Sequence, residues 1–158
     1  MQVHTLMYRL SNGEMQKGLK PMAWWLMIGT NDVVKADCDV DAVVAGIVTV
    51  ANEIYRKDRM NRRDEFAHVI INSLFPRVNL DEDPLWPIIQ TINSRLECYA
   101  ETTEGTEFFN ATAIFVKRGA VDPNLFLEDG IHLSVEGTKL WEEAIVKKAL
   151  EVISHKHS

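Results

Sequence analysis

The residues best suited to chemistry lie in two short blocks. Asp129-Gly130-Ile131-His132 places a carboxylate three positions before an imidazole, with a glycine between them. A histidine acting as a general base needs a carboxylate on Nδ1 to set its tautomer and to stabilise the imidazolium. A glycine-containing turn can fold Asp129 back onto His132, and imidazoles exchange protons near neutral pH. Taken alone, the block also suits a helix-capping aspartate beside a surface histidine. The second block, Gly29-Thr30-Asn31-Asp32, follows a run of apolar residues. The glycine permits a sharp turn, and the Asn31 amide is a donor fit for a tetrahedral oxyanion. In isolation it equally suits an Asx turn.

Both blocks need elements to hold them. Val3, Leu6, Met7 and Leu10 recur at helical spacing, and Met22 to Ile28 is an unbroken apolar run ending at Gly29. Such a run predicts a parallel strand buried on both faces, with Trp24 and Trp25 pointing oppositely. Val40, Val43, Val44, Ile47, Ala51 and Ile54 predict a helix, and Phe66 to Asn72 a second buried strand. Residues 73–83 read as loop. Leu85, Ile88, Ile89, Ile92 and Leu96 predict another helix, with Pro84 and Pro87 in its first turn. Thr106 to Phe109 is a short third strand, and residues 113–131 read mostly as loop. A final helix is expected from Ser134, its N-cap, to about Ile153, burying Leu140, Trp141, Ala144, Ile145 and Val152. Alternating strands and helices imply βαβ units in one α/β domain spanning 1–158. Ligands of an open parallel sheet bind beyond the carboxyl ends of its strands. The loops at 29–32, 73–77 and 128–134 are therefore the places where a site would form.

Bulk properties narrow the function. The 158 residues carry a net charge of −6 and are 46% hydrophobic, which suits one soluble core and argues against nucleic-acid or anionic-membrane partners. The basic residues from Arg56 to Arg63 read as a solvated helix end. No apolar stretch reaches the length of a membrane span, and no leader peptide is evident. Cys38 and Cys98 lack metal-ligand spacing and read as free thiols, pointing to a reducing, cytoplasmic setting. Asn110-Ala111-Thr112 matches a glycosylation triplet, a pattern common by chance. A metal site from Asp129, His132, His155 and His157 is disfavoured, because the last two lie in a polar tail.

Together the two blocks, in this order, resemble the SGNH/GDSL-type serine esterases, in which a GxND block supplies an oxyanion asparagine and a DxxH block supplies the Asp–His pair. Arg9-Leu10-Ser11-Asn12-Gly13-Glu14, then Lys20-Pro21, resemble the platelet-activating-factor acetylhydrolase catalytic-subunit branch. So do Ile70 to Arg77, Leu125 to Ser134 and Gly137. The resemblance implies a three-layer αβα, flavodoxin-like fold with a parallel sheet. It implies hydrolysis of a small acyl or acetyl ester without metal or organic cofactor. Asn31, Asp129 and His132 would be catalytic, and Gly29 and Arg77 would contact substrate, although a salt-bridged Arg77 is the plainer expectation.

The family's Gly-Asp-Ser nucleophile block is missing, as are its first strand, first helix and second strand. Ser73 is the only serine in a comparable position, and Ser11 lies in a turn where the family has no nucleophile. Two explanations are open: an incomplete chain whose other part supplies the serine, or a short protein without catalysis, serving as an esterase-like binding or dimerising subunit, for instance a homodimer. Physical reasoning favours the first, because losing those strands would leave the Met22–Ile28 strand with an unpaired edge.

Overall fold

The computed structural model describes residues 1–16, 18–37, 39–61, 66–78 and 82–155. Cys38, Arg62, Arg63 and His157 lie outside the described residues, as does the side chain of His155.

The apolar periodicities become the expected elements. Helix α1 spans Val3–Ser11 and buries Leu10 against α3, Val40–Asn61. Strand β1 is Ala23–Leu26, β2 is His68–Asn72 and β3 is Thr106–Phe109. They form one parallel sheet in the order β1-β2-β3, with Trp25 opposite Ile70 and Ile71 opposite Phe108. Helix α2, Thr30–Lys35, follows β1, and α4, Trp86–Glu101, precedes β3.

Strand alternation sends successive side chains to opposite faces. One face meets α3 and α4 through a core of Leu26, Val69, Ile71, Ile47, Ile92 and Leu96. The other meets the final helix α6, Val135–His155, through rings: Trp25 on Phe109 at 4.8 Å, and Phe75 on both Phe115 and Trp141 at 5.2 Å. Helices on both faces make the expected three layers.

The tryptophans of β1 diverge as alternation requires. Trp24 Nε1 donates to Asp58 of α3 at 3.0 Å, and Trp25 Nε1 donates to Asn72 at 3.2 Å. Asn72 also accepts from Trp141 Nε1 of α6 at 2.9 Å. Neither tryptophan is fully buried, and Met22 is exposed. Burial on both faces of the whole apolar run therefore fails. Among the described residues β1 is an edge strand, paired only with β2, and an edge strand's side chains have cover on one flank alone.

Three further expectations change. The basic run does close α3, with Arg56 on Glu53 and Arg59 over the rings of Tyr55 and Phe66. Inside it, however, Asp58 is 1% exposed and accepts the Ala67 N–H at 2.8 Å. Residues 113–131 are not mostly loop. They hold α5, Thr112–Phe115, the hairpin of β4, Val116–Lys117, with β5, Ala120–Val121, and a 3-10 turn at Pro123–Leu125. The hairpin turns on Arg118 and Gly119, both at positive φ. Such two-residue turns favour Asn or Asp first, so an arginine there concealed it. Leu140, at 36% exposure, is not on the buried side of α6, because that face runs through Gly137, Trp141, Ala144 and Lys148 and leaves Leu140 at its margin. No helix among the described residues is long and apolar enough to cross a membrane.

Candidate active site

The Gly29 block sits where β1 ends. Gly29 has φ 116° and its carbonyl accepts from the N–H groups of Asp32 and Val33, which starts α2. A Cβ at this position would lie 2.7 Å from Ile47 Cδ1, so both conformation and packing demand glycine. Gly29 is thereby buried under the turn. Asn31, one position into α2, is exposed, and its amide reaches the Met1 carbonyl at 3.4 Å. Asp32 faces elsewhere and accepts the Val3 N–H at 3.1 Å.

The Asp129 block is closed by its own backbone. Leu127 N–H donates to the His132 carbonyl at 2.7 Å, and Gly130 N–H donates to the Leu127 carbonyl at 2.9 Å. Asp129 Oδ1 accepts the N–H groups of Ile131 and His132, each at 2.9 Å. Its Oδ2 lies 2.6 Å from His132 Nδ1. The His132 backbone N–H, then its ring, then the Ile131 N–H hold the Asp129 carboxyl down at about 2. An ionised carboxylate only accepts, so the ring proton resides on Nδ1 and Nε2 keeps its lone pair. Nε2 makes no hydrogen bond among the described residues. The His132 side chain is 74% exposed.

The loop after β2 completes the arrangement. Val78 N–H donates to the Gly130 carbonyl at 3.0 Å and ties this loop to the Asp129 block. Arg77 is held by Asp83, with Nε 3.7 Å from Oδ2, so the salt-bridged expectation holds. All three loops then border one open cleft of about 560 Å³ at the carboxyl ends of β1 and β2, walled by Thr30, Asn31, Lys35, Arg77, Ile131 and His132 among others. Asn31, Arg77 and His132 thus come together. Asp129 stands behind His132, and Gly29 lies beneath the wall.

Lys35 stands outside both sequence blocks, and Thr30 enters the sequence reading only as a member of its block. The signal was present for Lys35, which follows Asn31 by four residues and so shares its helical face.

No serine lines this cleft among the described residues. Ser73 is 0% exposed, and its Oγ accepts the Thr112 N–H at 3.2 Å. Ser134 Oγ donates to the Asn124 carbonyl and caps Gly137 N–H. Ser11 ends α1.

No protein-family model and no curated sequence matches the chain. Solved structures do. A GDSL-like lipase from Bacteroides thetaiotaomicron is similar at TM-score 0.69 and 23% identity, over 96% of this chain and 72% of that one. A carbohydrate esterase family 3 structure from Talaromyces cellulolyticus gives 0.70 and 17%, over 98% and 69%. A structure from Streptococcus pneumonia, provisionally assigned as a platelet activating factor, gives 0.74 and 19%, over 94% and 68%. Each neighbour is covered only in part, while this chain is covered almost throughout. The fold of this chain is that of the SGNH/GDSL-type hydrolases.

Proposed function

We propose that the cleft is the acid–base and oxyanion side of a serine ester hydrolase site. His132 Nε2 accepts the proton of a serine hydroxyl as the serine oxygen bonds the ester carbonyl carbon. Asp129 holds the ring and stabilises the imidazolium, and the Asn31 amide donates to the oxyanion. Collapse releases the alcohol, which takes the proton from His132. Water then repeats the cycle on the acyl-serine. The observation that carries this reading is the 2.6 Å contact between Asp129 and His132, opening on a cleft that Asn31 also lines.

With no serine on that wall among the described residues, the 158 residues by themselves are expected to hydrolyse esters barely above background. Loss of the nucleophile in a comparable triad costs on the order of 10⁶ in kcat. Purified chain assayed with p-nitrophenyl acetate is expected to show trace turnover, insensitive to a fluorophosphonate and lowered by His132→Ala and Asn31→Ala. Fluorophosphonate-sensitive turnover would overturn the inactivity. Equal rates in the parent and both variants would overturn the assignment of the cleft.

A second reading, a non-catalytic esterase-like subunit that dimerises, draws support from the one-sided pairing of β1. A monomeric sedimentation profile at high micromolar concentration would remove it.

A further inference from the structure

The charges on the cleft wall carry information beyond the reaction class. The chain as a whole is acidic, at −6. Yet the charged side chains lining the cleft are Lys35 and Arg77, and no carboxylate lines it among the described residues.

The nearby acids are turned away. Asp32 holds the Val3 N–H. Asp129 is bound to His132 and to two backbone N–H groups. Asp83 is shared between Arg77 and the Leu85 N–H, the latter at 3.0 Å. Arg77 is paired loosely: its Nε and Asp83 Oδ2 are buried without a hydrogen-bond partner, so the fork of the guanidinium is not matched. Lys35 has no carboxylate partner among the described residues, and its Nζ donates at 2.9 Å to the neutral amide of Gln2.

A cation against a neutral amide is readily recruited by an anion, and Arg77 adds a second positive charge on the same wall. Lys35 also shares the helical face of Asn31, one turn away. An anion on Lys35 therefore sits beside the position where the scissile carbonyl would meet Asn31. Apolar wall remains at Ile131 and Val34 for an alkyl spacer.

We propose that Lys35, assisted by Arg77, is the specificity residue of this cleft, and that the ester it takes carries an anionic group, a carboxylate or a phosphate, on the part that is not cleaved. This rests on the ester-hydrolase reading of the site. Anion binding would hold the ester in the cleft while leaving the geometry of His132 and Asn31 unchanged.

The test is binding to the intact chain, followed by ¹H–¹⁵N shifts of the Asn31 amide and the His132 ring. Three probes are titrated: monomethyl succinate, 2-acetoxyethyl phosphate and the neutral dimethyl succinate. One or both anions are expected to bind about fivefold to tenfold tighter than the neutral diester, as a partly screened charge contact would give. Which anion binds tighter identifies the group. Lys35→Gln should remove the preference, Lys35→Arg should retain it, and added salt should weaken it. Lys35 is exposed, so the variants are expected to fold, and the dispersion of the same spectra verifies this. If all three probes shift Asn31 and His132 with equal affinity, or if Lys35→Gln keeps the preference, the anion proposal fails and the ester reading stands. If no probe shifts either residue, both fail.

Discussion

Replacing Gly137 by alanine separates what helix propensity favours from what the packing allows. Gly137 lies in the first turn of α6, where alanine should gain about 1 kcal/mol over glycine. The structure opposes the change. A Cβ at 137 would stand 2.1 Å from the Leu125 carbonyl oxygen and 3.0 Å from its carbon. The obstacle is backbone, so it cannot rotate away, and it must retreat by more than 1 Å to reach an ordinary contact. Forced overpacking of this kind costs about 1–3 kcal/mol. The same Leu125 carbonyl accepts the Ser134 N–H at 2.9 Å. Losing that bond costs about 1 kcal/mol more. The net expectation for Gly137→Ala is a destabilisation of about 1–3 kcal/mol. In a urea titration followed by tryptophan fluorescence, an m-value of about 2 kcal/mol/M turns this into a midpoint lowered by roughly 0.5–1.5 M. Glu136→Ala, at the exposed neighbouring position, should stay within about 0.5 kcal/mol of the parent. The displacement also reaches the site. Phe126 bridges Leu133, and Leu127 N–H holds the His132 carbonyl. Hydrogen exchange of the Leu127 N–H should therefore quicken. A Gly137→Ala chain more stable than its parent would refute the argument, because propensity alone would then govern the position.

Asn72→Ala should cost about 2–4 kcal/mol, because it strips the acceptor from the Trp25 and Trp141 indoles and the donor to the Ser73 carbonyl. Red-shifted tryptophan emission at a lowered urea midpoint is the expected signature, and an unchanged midpoint would contradict it. Asp129 should titrate at about 2 in the folded chain, below its ordinary 3.8. Its folded value is depressed, so its contribution to stability is full above pH 3.8 and is lost as the pH falls through about 2. A ¹³C carboxyl titration checks this. His132→Ala should return the midpoint only part of the way, since two backbone N–H groups still hold Asp129. A native midpoint near 4 would defeat the account of the pair.

How much the sequence determined follows the range of the interactions involved. The Asp129–His132 contact spans three residues and closes through Gly130, so the tetrapeptide contains nearly all its causes. The helices α1, α3 and α4 and the parallel strands follow from apolar periodicity, which solvent exclusion reads locally. Ser134 as a cap and Gly29 as a turn residue are legible on the same grounds. Other features needed the folded chain. The indoles of Trp25 and Trp141 meet on Asn72 across separations of 47 and 69 residues, and no local pattern marks such a meeting. Asp58 looks solvated within its basic run, but in the folded chain it is buried and accepts from the Trp24 indole and the Ala67 N–H. The demand for glycine at 137 comes from the Leu125 carbonyl, a neighbour only in space. The meeting of residues 31, 77 and 132 around one cleft was an inference about sheet ends until the parallel register of β1 and β2 set their loops on the same rim. Periodicity reports which face of an element is dry, whereas the identity of what covers that face is a property of the assembled layers alone.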